Sequence, residues 1–356
     1  MSMTRKAGES KRLRGVALSF DSAILVKRLL SGIPERSRDI LVRRFGLGAS
    51  AERETLESIG DRSGITRERV RQIEAAGLAA IQGSKVFRDA EATFEELKKE
   101  VERLGAIVHE EELLAHLAKD EKSRNRIRFL LVVGSAFYRE RETDDFYARW
   151  HVDHKTAKAV HDALSKLYQS LGDADVLTES ALLDRFLDEL KEVNDAYKNE
   201  EVLKRWLSIS KKISRNPLAE WGRATAPSIR TKGVRDYAYL AIKRHGKPMH
   251  FSEVAKAIGD LFSKMAHVAT THNELIKDPR FVLVGRGLYA LAEWGYAPGV
   301  VRDVIREVLG EHGPMKKEEV IKHVKRARFV KDNTILVNLN DNRYFKRLKD
   351  GRYAAT

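Results

Sequence analysis

Between Thr66 and Gln72 the chain reads TRERVRQ. At helical spacing Arg67, Glu68, Arg71 and Gln72 share one face, while Val70, Ile73 and Gly77 share the opposite one. The polar face holds the side chains that read base edges. Arg offers a bidentate donor fork to guanine, Glu accepts from the cytosine amino group, and Gln both donates to and accepts from adenine. Each good base contact gives about 1–3 kcal/mol of discrimination. The same charges also fit an ordinary solvated surface on which Glu and Arg screen each other, and charge pattern alone weighs the two readings about evenly.

The flanking residues supply what such a face needs for placement. Thr55 is suited to cap a first helix in which Leu56 and Ile59 turn inward. Gly64 breaks the chain after Arg62 and Ser63, as a tight interhelical turn requires. Thr66 is an N-cap for the second helix, with Glu68 in its first turn, where negative charge is favoured. The result is a helix-turn-helix, the unit that lays its second helix in the DNA major groove.

The run from Pro34 to Ile81 resembles region 4 of bacterial sigma factors of the sigma-70 family. The likeness rests on the lead-in Pro34, Glu35, Arg36, Arg38, Ile40, Leu41, Arg44, Phe45, Gly46 and Leu47, then TLESIG, then TRERVRQIE. It implies that Arg67, Glu68, Arg71 and Gln72 read a promoter −35 element in double-stranded DNA, with Arg69 and Thr66 nearer the phosphates. It further implies docking on the beta flap of RNA polymerase. Ile40, Leu41, Phe45 and Leu47 then belong to the apolar groove for that flap or to the core beneath it. Two departures stand out. After Glu74 the usual basic stretch is replaced by Ala75, Ala76, Gly77, Leu78, Ala79 and Ala80, which removes phosphate contacts, and Gly77 weakens a helix by about 1 kcal/mol relative to Ala. Only 33 residues precede Pro34, so no promoter-melting region is expected, and the chain should act beside a complete sigma factor or compete with it.

Of 356 residues, a third are charged and 42% hydrophobic, a composition typical of soluble folded protein. The absence of cysteine excludes thiol catalysis, disulfides and Cys-ligated zinc fingers. The longest mainly apolar run, Ile127 to Tyr138, contains Arg128 and is too short to span a bilayer. A cytoplasmic, nucleoid-associated protein is expected. The net charge of +14 is unevenly spread: +7 over residues 1–90, −7 over 91–210 and +14 over 211–356. Basic ends suit a polyanion, whereas the acidic middle suits protein or solvent.

Taken in order, residues 1–20 form a basic mobile tail with Arg5, Lys6, Lys11, Arg12 and Arg14. Residues 21–84 hold the helix-turn-helix. Residues 85–150 read as a separate winged helix: a helix from Phe87 to Leu104, helices at Glu110–Ala118 and Arg124–Val133, then strands at Ala136–Arg141 and Phe146–Trp150. Residues 155–222 repeat that theme more loosely. Residues 232–296 and 297–356 repeat each other, with KPMHFSEV matching GPMKKEEV and DPRFVLVGRGLYAL matching DNRYFKRLKDGRYAA. The fold class expected is mainly α, a helix-turn-helix followed by tandem winged-helix domains with small β-hairpins.

Residues 232–296 resemble the HARE-HTH domain, a winged helix also seen at the N-terminus of the RNA polymerase delta subunit, through KPMHFSEVAKAI, the THNELIKDPRFVLVGRGLYAL run and the closing Glu293-Trp294-Gly295. Its third helix, about Met265 to Lys277, would present Lys264 and Lys277 outward, with Arg280 and Arg286 by the wing. The final repeat has a denser basic set that includes Lys325, Arg326, Arg328, Lys346 and Arg347, where a phosphate-binding role competes with plain solvated charge.

Other chemistry finds little footing. His154 and His161 are two helical turns apart, too far to share one ion with His151 unaided. Glu96-Leu97-Lys98 is the one nuclease-like triplet, and it sits on a periodic helix. Glycine loops for phosphate or dinucleotide are missing. The expectation is a non-enzymatic transcription protein without cofactor, metal or small-molecule ligand, whose partners are promoter DNA and RNA polymerase. The alternative is a polymerase-binding adaptor that no longer reads sequence.

Overall fold

The computed structural model describes residues 18–296 and 300–356. Most of the expected basic tail therefore lies outside the described residues. From residue 18 the chain is held rather than mobile, because Leu18 and Phe20 pack on the first core and the Ser19 amide donates to Glu96 at 2.7 Å. Two compact units divide the chain, one running through Arg215 with Ala219–Ala224, the other comprising Asn216–Leu218 and Thr225–Thr356. Helices dominate both, and the strands are short antiparallel pairs.

In the first unit α1 (Ser22–Ser31) starts where the Asp21 carboxylate accepts from the amides of Ala23 and Ile24. Then come α2 (Glu35–Phe45), α3 (Leu56–Ser63) and α4 (Arg67–Gln82), the pair α3–α4 being the helix-turn-helix. After α5 (Lys85–Asp89), α6 (Glu91–Arg103), β1 (Ile107–His109), α7 (Glu110–Leu117), α8 (Glu121–Val133), β2 (Tyr138–Glu140) and β3 (Arg149–His151) follow. Helix, strand, helix, helix, strand, strand is the winged-helix order, and β3 lies between β1 and β2, with Ile107 opposite His151 and Tyr138 opposite that same residue. The helix expected over 87–104 is broken at Ala90. The strand β1, which sequence periodicity did not reveal, completes the sheet.

Residues 85–150 are not separate from what precedes them. One core runs from Leu25, Leu29, Leu41 and Phe45 through Leu97 and Leu114 to Phe129, Leu130 and Trp150. Its keystone is α8, on which Asn125, Ile127, Phe129, Leu130, Leu131 and Val133 are all buried. Phe129 meets the ring of Phe45 edge-on at 5.3 Å. The Asn125 amide donates to the carbonyls of Gly46 (3.2 Å) and Ala51 (2.8 Å). Gly46 is needed there twice over: φ is +62°, and a Cβ would come within 2.6 Å of both Ala51 O and Asn125 Nδ2.

The second winged helix comprises α9 (His154–Ser170), α10 (Glu179–Glu189), α11 (Glu200–Ile209) and the hairpin β4 (Ile213–Arg215) with β5 (Trp221–Arg223). A single bridge from Leu177 to Trp221 stands in for the first strand. Its third helix, α11, is again buried, through Val202, Leu203, Arg205, Trp206, Leu207 and Ile209. It leans on the preceding winged helix. The Trp206 indole donates to Gly105 O at 3.1 Å, and Arg205 pairs with Glu112 at 3.1 Å.

The second unit carries the other two copies, each with its own core. One has α12 (Val234–His245), β6 (Met249–His250), α13 (Phe251–Phe262), α14 (Val268–Lys277), β7 (Phe281–Leu283) and β8 (Leu288–Leu291), in sheet order β6-β8-β7. Its third helix begins at Val268 rather than Met265. The other has α15 (Val301–His312), α16 (Lys317–Ala327), α17 (Asp332–Leu339), β9 (Phe345–Arg347) and β10 (Tyr353–Ala355), with Met315 bridging Tyr353 in place of a first strand.

Candidate nucleic-acid interface

Local chemistry sets the pose of α4. The Thr55 hydroxyl accepts from the Ser58 amide to start α3, and the Thr66 hydroxyl accepts from the Arg69 amide at 3.2 Å to start α4. Between them the Gly64 amide returns to Gly60 O and the Ile65 amide to Gly60 O at 3.0 Å. Gly60, which the sequence reading did not single out, sits where a Cβ would lie 2.6 Å from Ile65 O. The TLESIG motif holds that residue because the turn folds directly over it. Behind the pair, Val70, Ile59 and Ile40 form a small core with Ile73 packed against it. Gly77 lets α2 approach, since a Cβ there would meet Leu41 Cδ1 and Ser37 Cβ at 3.2 Å. Close packing therefore explains the glycine that lowers helix propensity.

With one face so fixed, Thr66, Arg67, Glu68, Arg69, Arg71 and Gln72 are all exposed. They are tied to each other rather than to the core. The Arg71 guanidinium donates through two nitrogens to Glu68, at 2.9 and 2.7 Å, and Arg69 donates to Gln72 Oε1 at 3.1 Å. Hydrogen bonding by Arg71 holds the Glu68 carboxyl below its ordinary range, and Glu68 in turn raises Arg71. Both charges therefore persist at neutral pH, on a surface where water screens their mutual attraction. Farther along, Ala75, Ala76, Ala79 and Ala80 are exposed and present no cation.

The four residues expected in a polymerase groove or in the core beneath it belong to the core or pack against it. Ile40 and Leu41 are buried, Phe45 is buried against Phe129, and Leu47 is half-buried on the same core. The chain's own α8 covers that side of α2.

The secondary basic residues separate into two kinds. Lys264, Lys277, Arg286, Lys325, Arg326, Lys346 and Arg347 are exposed. Arg280 is locked inward by Asp278 (2.6 Å) and Asp236 (2.8 Å). Arg328 is only 4% exposed, and burial depresses its pKa. Neither belongs to a surface that could greet phosphate.

Residues 29–82 match the family described as sigma-70, region 4. Over 57 residues the chain is 42% identical to the RNA polymerase sigma factor RpoS of Coxiella burnetii (strain RSA 493 / Nine Mile phase I). That stretch is 16% of this chain, and the chain spans only 16% of the length of this curated relative. No helix among the described residues is long and apolar enough to cross a membrane. The capped helix pair α3–α4, with its exposed polar face, lies inside the residues that match sigma-70 region 4.

Proposed function

We propose that this chain is a DNA-binding transcription factor related to sigma factors, in which α4 reads −35-type promoter DNA. The observation that carries the reading is the simultaneous exposure of Arg67, Glu68, Arg69, Arg71 and Gln72 on a helix whose other face is locked by Val70, Gly77 and Ile81. Thr66 and Arg69 sit at the helix start, where amide donors and a cation suit phosphate. Binding exchanges the Arg71–Glu68 pair for base contacts, so the two side chains are held extended and charged until a groove replaces water around them. Contact with RNA polymerase belongs to the same proposal. A flap-docking role would have to use a surface other than Leu41 and Phe45, which α8 covers.

The test is a titration of wild type and Arg71→Ala against duplexes with a −35-type element and with a scrambled one. The expected result is a preference for the element that Arg71→Ala reduces by about 1–3 kcal/mol. Equal binding of both duplexes by the wild type would refute base reading. It would favour the second reading, a polymerase-binding adaptor, to which the alanine-rich exposed face after Glu74 lends support.

A further inference from the structure

The two winged helices of the second unit share a frame but not a surface. Strand register aligns them residue by residue. Phe281 and Phe345 both start the first wing strand and point into their cores. The amide of Val284 bonds Leu288 O, as that of Leu348 bonds Arg352 O. At the positions between, Val282, Leu283 and Gly285 in the first module become Lys346, Arg347 and Lys349 in the second. At the start of the second helix His250 and Phe251 become Lys316 and Lys317. A wing with one cation, Arg286 at its tip, has gained three at neighbouring positions on the same backbone plan, while the tip residue itself has become Asp350.

The cations are available. Lys316, Lys346, Arg347 and Lys349 are exposed. Four carboxylates of this module have cations of their own: Asp332 pairs with Lys325, Asp341 with Arg343, Asp350 with Arg352 and Glu318 with Lys317. No ion pair among the described residues engages those four. Arg347 and Lys316 line one concave face together with Asn340, Tyr353 and the paired carboxylates Glu318 and Asp350. Lys346, next along the strand, points to the other side of the ribbon. Residues 300–356 hold 14 Lys and Arg against 8 Asp and Glu, so the local field does not offset the cluster.

We propose that this wing, with Lys316 beside it, grips the phosphate backbone of duplex DNA without reading its sequence, and is a second DNA contact besides α4. Cations on both sides of a thin ribbon suit a position between two rows of phosphates. The choice of DNA over another polyanion rests on the base-reading role proposed for α4.

The experiment uses the full chain and a triple variant, K346Q/R347Q/K349Q, titrated on the −35-type and scrambled duplexes between about 50 and 200 mM salt. Each phosphate contact contributes about 0.9 to the slope of log K against log salt. The variant should therefore have a slope shallower by about 2.7 on both duplexes. The wild-type advantage should shrink about 40-fold over that fourfold change of salt, the same slope raised to an affinity ratio. Lys316→Gln, on a different element, should remove about 0.9 by itself. Slopes indistinguishable from wild type on both duplexes would overturn the proposal. Failure of the α4 reading looks different: wild type then binds both duplexes equally, while the slope difference still decides the wing.

Discussion

Helix α4 and helix α8 occupy the same place in their modules, the last helix before the chain turns away, yet they meet opposite fates. On α4 only Val70, Gly77 and Ile81 are buried, and the polar face is open. On α8 seven residues are buried, and the helix lies inside a core shared with α1 and α2. The same holds for α11, which is buried against the module before it. Among the described residues of the first unit, then, only one such helix, α4, leaves its polar face open to a groove. The winged helices that follow use theirs to hold on to the preceding module. In the second unit the corresponding helices α14 and α17 bury just two residues each, Thr271 with Leu275 and Ile335 with Leu339. Shared topology thus says where a recognition helix would be, and burial says whether it can serve as one.

The largest expected effect comes from removing the side chain that α8 inserts. Phe129 is fully buried against Phe45. Phe129→Ala should destabilise the first unit by about 3–5 kcal/mol, through lost transfer energy and a residual cavity. Because the core is shared, the loss of Trp150 fluorescence signal and the loss of DNA binding should coincide along a denaturant titration. A helix-turn-helix that still bound DNA after the winged helix had melted would break the comparison.

Next in size is Gly105→Ala. Gly105 has φ +113°, and a Cβ there would stand 2.6 Å from Val202 Cγ1 and 2.9 Å from Trp206 Nε1. Neither atom belongs to a loosely held side chain, since Val202 and Trp206 are both buried. The backbone conformation alone costs about 1–3 kcal/mol for a residue with a Cβ, and the collision pushes α11 off its seat. A lowered denaturation midpoint read through Trp206 would bear this out. An unchanged midpoint would mean that α11 is not pressed against the turn at Gly105.

Against these stands Arg71→Ala. Its side chain is 61% exposed and touches only Glu68 and its neighbours on the helix surface. Its removal should leave the denaturation midpoint within about 0.5 kcal/mol of wild type, while it lowers affinity for specific DNA. Stability falling with affinity would show that α4 depends on that pair for its fold.

These contrasts mark what could be read from the chain. The caps Thr55 and Thr66, the turn at Gly64 and the two faces of α4 are local, and periodicity with capping chemistry reveals them. The repeated Pro-Met turn and hairpin likewise announced the last two modules. What stayed hidden depends on partners distant in sequence. Asn125 reaching Gly46, Trp206 reaching Gly105 and β1 pairing with β3 join segments whose spacing carries no pattern. For the same reason Arg328 and Arg280 read as surface cations, although the fold gives one a buried site and the other two aspartates.

A last effect, confined to acid conditions, is a pH dependence at the seam between the two winged helices of the first unit. His161, on α9, accepts from Arg149 Nε, on β3, at 2.6 Å, which requires that nitrogen to be unprotonated. Burial, and next the Arg149 cation, push His161 down to about 4, against the opposing pull of Glu140 and Asp162. In the unfolded chain the imidazole takes a proton near its ordinary value of about 6.5. Between those two values the unfolded state binds more protons, so stability falls as pH falls through the window from about 6.5 to about 4, with no contribution above it. His109 and His151, also lowered by burial, act in the same direction. His161→Gln keeps an acceptor for Arg149 but cannot titrate. Its stability should therefore decline less steeply with acid than that of wild type, the difference in slope being at most about one proton per molecule. Parallel acid profiles for the two proteins would show that Arg149 has another acceptor ready and that the seam is not pinned by the neutral imidazole.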